Sequence, residues 1–93
     1  MKMLVTGGNR GLGQHLVEVF GADSASRANG FDINLNTHEI AVLSLEYDVF
    51  VNNAFDGPPQ ELWADFGQAQ VYFAVYDAWK KAGKTGQDRK SVV

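Results

Sequence analysis

Glycines at positions 7, 11 and 13 stand between an apolar segment, Met3-Leu-Val-Thr6, and a helical pattern that opens at Leu12. Side-chain-free positions at that spacing let a backbone turn tightly and let a ligand approach the amides at a helix N-terminus, the arrangement that suits a pyrophosphate. A strand-to-helix turn with no ligand would use the same glycines, but the strand before and the helix after are what the phosphate reading requires. A carboxylate about 20 residues beyond such a turn can accept a hydrogen bond from a ribose 2′-hydroxyl and so favour NAD. Asp32 lies near that offset, and Asp23 is a second candidate.

Other chemistry is sparse. There is no cysteine, which excludes disulfides, a thiol nucleophile and a thiolate zinc site and suits a reducing compartment. The only histidines, His15 and His38, show no ligand spacing, so no metal site is expected. Gly83-Lys84-Thr85 has the look of the end of a phosphate loop, yet Ala78 occupies the place of that motif's first glycine and a helix precedes it in place of a strand. Ser24, Ser26, Ser44 and Ser91 form no readable triad with either histidine.

The elements that would position the glycine turn follow from periodicity. Met3–Thr6 reads as a short buried strand; Leu12, Leu16, Val19 and Phe20 recur at helical spacing, and Gly21 stands where that helix would end. Residues Ala22 to Arg27 are small and polar, a poor strand by propensity, while Phe31-Asp-Ile-Asn-Leu35 alternates as a half-buried strand should. Three residues separate the two segments, too few for a parallel crossover, so one of them must be a bend, an edge or a hairpin arm. Thr37 to Leu45 suits a short helix capped by Asn36 or Thr37. Tyr47-Asp-Val-Phe-Val51 is a second clear strand running into Asn52-Asn53-Ala54, followed by a loop at Phe55–Pro59. A long helix is expected from Pro59 or Gln60 to about Ala82, then a polar stretch, and Lys90–Val93 reads as the start of another strand. This alternation predicts an α/β fold, a mostly parallel sheet with helices on both faces, in one domain spanning residues 1–93.

Thr6-Gly-Gly-Asn-Arg-Gly-Leu-Gly13 resembles the T-G-x-x-x-G-x-G motif of the short-chain dehydrogenase/reductase superfamily, and Asn52-Asn53-Ala54 resembles its N-N-A-G motif, with Phe55 in place of the last glycine. Asp32-Ile33 and Tyr47-Asp-Val look most like the extended nucleotide-sugar reductases of that superfamily. The resemblance covers the whole chain but only about the first half of the family's length. It implies a minimal Rossmann-like domain in which Gly7, Asn9, Gly11, Leu12 and Gly13 surround the phosphates and Asn53 and Ala54 line the nicotinamide side. Arg10 and Arg27 resemble the basic pair of NADP-preferring members, which would clamp a 2′-phosphate, and by that similarity Asp32 and Ile33 flank the adenine. NADP is therefore expected ahead of NAD. Family chemistry would also need a serine after the next strand and a Tyr-x-x-x-Lys pair, and the chain ends inside that strand. Tyr76-Asp-Ala-Trp-Lys80 does spell that pair. It is rejected on geometry, since a helix leaving the cofactor edge carries Tyr76 ~24 Å away at ~1.5 Å per residue. No catalytic residue is assigned. The competing expectations are an oxidoreductase completed by oligomerisation or a partner, and a non-catalytic interaction or regulatory protein.

Size and charge bound the partners. A 93-residue chain buries only about 60–65% of its unfolded surface, which favours a partner subunit. A net charge of −3 argues against nucleic acid or an anionic membrane, and no apolar run approaches the ~20 residues of a membrane span, which leaves the cytoplasm as the expected location. Between Ala69 and Trp79 only Gln70 and Asp77 are polar, so the 60–82 helix is apolar on nearly every face. A homo-oligomer is expected through some of Val71, Tyr72, Phe73, Val75, Tyr76 and Trp79, as the equivalent helix does in the family it resembles.

Overall fold

Four short strands lie side by side, all parallel, in the order β2 (Asp23–Ala25), β1 (Met3–Thr6), β3 (Val49–Val51) and β4 (Ser91–Val92). A computed structural model describes residues 2–8, 11–54, 66–83 and 91–92. The elements in chain order are β1 (Met3–Thr6), α1 (Gly11–Phe20), β2 (Asp23–Ala25), a 3-10 turn (Arg27–Asn29), α2 (Thr37–Ser44), β3 (Val49–Val51), α3 (Phe66–Lys81) and β4 (Ser91–Val92). The register sets Leu4 beside Asp23 and Phe50, and Val5 beside Ser24 and Val51. Because side chains alternate across a sheet, Leu4, Phe50 and Ala25 share one face and Val5 and Ser24 the other.

That alternation separates the helices. Leu4, Ala25 and Phe50 join Ile40 and Ala41 of α2 and Val71, Val75 and Trp79 of α3 in one buried cluster. Ser24 instead lies against Val17 of α1, where both crowd Gly8. The core is closed by a polar link: Trp79 Nε1 donates to Ser44 Oγ at 2.9 Å, and that hydroxyl donates to the Ala41 carbonyl at 2.7 Å. A buried indole N–H without such an acceptor would cost about 1–3 kcal/mol.

At the amino-terminal edge of the sheet Tyr47 is buried and its phenol donates to Asp23 at 2.6 Å, with the Lys2 ammonium 4.9 Å from its ring centre. Burial, and then the hydrogen bond to the Asp23 carboxylate, push the phenol up to about 12.

One open choice is decided and two expectations change. The second strand is the polar Asp23–Ala25, and Phe31–Leu35 is not a strand: Leu35 is 81% exposed while Ile33 is buried. Asp32 and Asn36 explain it, since the Asp32 carboxylate accepts from the Asn34 amide and the Asn36 side chain from the Asp32 amide, a local pattern that competes with strand pairing. The strand before the asparagine motif is shorter than Tyr47–Val51, because Asp48 and Val49 both donate their amides to the Lys2 carbonyl. In the long helix, Val71, Val75 and Trp79 are core residues at 0% exposure and cannot contribute to an outer surface, which leaves Tyr72, Phe73 and Tyr76. The expected start at Pro59 or Gln60 lies outside the described residues. Among the described residues no helix is long and apolar enough to cross a membrane.

Candidate functional site

The chain leaves β1 toward β2 through α1 on one face, then returns past β1 to β3 through α2 on the other. Connections that part to opposite faces open a crevice at the carboxyl ends of the strands between them, which is where open α/β sheets bind ligands. Gly7 follows β1 and Asn52–Ala54 follow β3, so both sequence motifs meet at this crevice.

Thr6 joins them. Fully buried at the end of β1, its Oγ1 accepts from the backbone amides of Asn53 at 3.0 Å and Ala54 at 3.1 Å and donates to the Val51 carbonyl at 3.4 Å. In return Asn53 Nδ2 donates to the carbonyls of Thr6 at 3.1 Å and Gly7 at 3.4 Å. The turn is also tied to the second strand, because the Gly7 amide donates to the Ala25 carbonyl at 3.0 Å.

Two of the glycines are required by this packing for different reasons. Gly7 has φ +68°, a left-handed conformation that a side chain would strain, with Ala54 and Asn53 directly over it. Gly13, on the first turn of α1, faces the Gly7 carbonyl so closely that a Cβ would collide with it and would lie 2.6 Å from Asn53 Nδ2. At Gly11 the position of a Cβ meets nothing within 4 Å among the described residues. Leu12 beside it is 67% exposed. A glycine turn leading into a helix start is compatible with an oxyanion group such as a pyrophosphate.

Asn9 and Arg10 lie outside the described residues. Arg27 and Asp32, expected to serve different parts of a ligand, form an ion pair: Arg27 Nε lies 3.1 Å from Asp32 Oδ2. The Ile33 side chain is buried in the core and packs beside Gly67 at the start of α3. Tyr76 is exposed and stacks on Tyr72, as a surface residue would. Among the described residues no group of acidic or histidine side chains could hold a metal ion.

Three residues in or beside the motifs have roles that the motifs do not reveal. Thr6 looks like an ordinary turn residue, and only its position opening the glycine motif hints at the role of its hydroxyl. Gly8 is needed because a Cβ there would lie 2.6 Å from Ser24 Oγ. Asn52 clamps the loop to α3, donating from Nδ2 to the Gln68 carbonyl at 2.9 Å while Gln68 Nε2 donates to the Asn52 carbonyl at 3.1 Å.

The fold and site together define a small parallel α/β domain with a glycine turn at its switch point. No protein family, no curated protein and no solved structure matches the chain.

Proposed function

We propose that the protein is a Rossmann-type module, of the short-chain dehydrogenase/reductase kind, that binds a dinucleotide, NADP(H) ahead of NAD(H), in the crevice between β1 and β3. The observation that carries this reading is the Thr6 hydroxyl joining the glycine turn to Asn53 and Ala54, with Gly13 packed so closely that neither motif could take a bulkier form. Two distant motifs are thereby held at the one edge where such sheets bind ligands.

In this reading Gly7, Asn9, Gly11, Leu12 and Gly13 surround the phosphates, while Asn53 and Ala54 line the nicotinamide side. Arg10 and Arg27 serve the 2′-phosphate, and Asp32 and the backbone of Ile33 flank the adenine. A nicotinamide cofactor supplies hydride chemistry when bound; the residues assigned here bind and orient. Turnover is not part of the proposal.

A second element is self-association through the outer face of α3. Tyr72, Phe73 and Tyr76 are 38%, 68% and 44% exposed, and Tyr72 stacks on Tyr76 and meets Phe73 edge to face, an apolar cluster larger than scattered surface residues form.

Calorimetric titration with NADPH and NADH at fixed salt tests the binding reading. Saturable heat with NADPH supports it, and no heat with either dinucleotide refutes it.

A further inference from the structure

Asn29-Gly30 is the only Asn-Gly pair in the sequence; the other asparagines, Asn9, Asn34, Asn36, Asn52 and Asn53, precede arginine, leucine, threonine, asparagine and alanine. An Asn-Gly pair is the one most open to a backbone reaction, because no side chain on the second residue shields its nitrogen from the asparagine side chain. Both residues are exposed, at the end of the 3-10 turn that follows β2, so water reaches them. Conformation calls for glycine here, since Gly30 has φ +91°.

The turn engages the atoms that would react. The Gly30 amide donates to the Arg27 carbonyl at 3.2 Å, which keeps its proton in place and its nitrogen inside the turn. Asn29 Oδ1 accepts from the Ser26 amide at 2.6 Å and from Ser26 Oγ at 3.0 Å, while Asn29 Nδ2 donates to the Ser24 carbonyl. That last bond lies on the outer edge of the sheet. β2 is an edge strand, and the Ala25 carbonyl meets the Gly7 amide on the β1 side, so backbone alternation directs the Ser24 carbonyl outward. Asn29 thus covers an outward carbonyl of the kind that makes a strand edge a template for pairing.

We propose that Asn29 is a site of spontaneous deamidation which the 3-10 turn restrains and whose product loosens the outer edge of β2. When the turn opens and the Gly30 nitrogen loses its proton to solvent, that nitrogen bonds to Asn29 Cγ. The Cγ–Nδ2 bond then breaks, and Nδ2 takes a proton from water and leaves as ammonia. A second water opens the resulting five-membered imide at either carbonyl, leaving aspartate or its β-linked isomer. The chemistry needs only water and proceeds whether or not a dinucleotide binds. In the product one carboxylate oxygen still accepts from Ser26, but the other has lone pairs where Nδ2 had a donor, and it repels the Ser24 carbonyl. The β-linked isomer also adds a carbon to the backbone of the turn.

Incubating the whole chain at mildly alkaline pH, native and in guanidinium, with peptide mapping by mass spectrometry, follows the reaction residue by residue. Asn29→Asp stands for the product, and Ser26→Ala weakens the turn. In guanidinium Asn29 should convert ahead of every other asparagine, and in the native chain it should convert at least about tenfold more slowly, because reaction waits on local opening. Ser26→Ala should raise the native rate several-fold and leave the denatured rate unchanged. Asn29→Asp should melt roughly 4–8 °C below wild type, with faster amide exchange confined to residues 22–31. Equal rates in the native and denatured chains overturn the restraint, and another asparagine converting first in guanidinium overturns the site. An Asn29→Asp variant with the melt and amide exchange of wild type overturns the loosening of β2.

Discussion

Replacing Thr6 with valine keeps the shape of the side chain and removes the hydroxyl that accepts from the Asn53 and Ala54 amides, leaving the Asn53 side-chain bonds to the Thr6 and Gly7 carbonyls. The Asn53 amide has a second acceptor in the Val51 carbonyl at 3.1 Å, so it is weakened but not orphaned. The Ala54 amide has the hydroxyl as its acceptor at 3.1 Å, and Thr6 is fully buried, so water reaches that spot only if the loop opens. One amide left dry costs about 1–3 kcal/mol, and the weakened bond adds a fraction of that, which gives an expected loss of about 2–3 kcal/mol. For a chain of this size that corresponds to a fall of roughly 8–20 °C in Tm. Urea titration followed by far-ultraviolet circular dichroism measures the loss directly. Thr6→Ser separates causes, because it restores the hydroxyl and gives up only a methyl group, for a loss of about 1 kcal/mol. The reasoning is refuted if Thr6→Val stays within ~0.5 kcal/mol of wild type, or if Thr6→Ser is as damaging, since the hydroxyl would then not be the linking group. Under the dinucleotide reading the two variants should also part in NADPH affinity, with Thr6→Ser retaining it.

Gly13→Ala should cost about 1–3 kcal/mol by forcing α1 away from the Gly7 carbonyl and Asn53, and it should abolish NADPH binding, as calorimetry and a thermal melt would show together. Tyr47 gives a pH signature: its phenol is pushed up to about 12 in the fold against about 10 unfolded, so from pH 10 to 12 the unfolded chain has released a proton that the native state keeps. Wild-type stability should fall through that window by up to ~1.4 kcal/mol per unit more than that of Tyr47→Phe, and parallel curves for the two proteins would contradict the assignment. Phe73→Glu on the outer face of α3 should lower the sedimentation coefficient toward that of a monomer and change stability by less than ~0.5 kcal/mol; an unchanged coefficient would remove α3 from the association surface.

The parts of the fold legible in the residues are those decided over a few positions. β1, the glycine turn and the helix after it fall within a residue of their expected places, as does α2 behind Asn36, because apolar spacing and turn chemistry act locally. The second strand was hidden. Asp23-Ser24-Ala25 has no apolar pattern, and it pairs because Gly8 leaves room for Ser24 and because Ala25 is small enough to lie under α2 and α3. Those reasons belong to other segments. Phe31–Leu35 alternates well, but side-chain bonds from Asp32 and Asn36 hold it as a turn, and only Ile33 reaches the core.

The same division runs through the site. Glycine spacing is local and was readable; what the spacing is for depends on Thr6 meeting residues 47 and 48 positions away, which no window of sequence reveals. Arg27 and Asp32 show the consequence for function. Arg27 closes the small polar segment and Asp32 lies in the next, alternating one, so they read as independent groups, one for a phosphate and one for a base. The 3-10 turn after β2 brings the two charges together, with Arg27 Nε 3.1 Å from Asp32 Oδ2. What each charge faces is thus set by the turn that joins them and is not legible from the residue types alone.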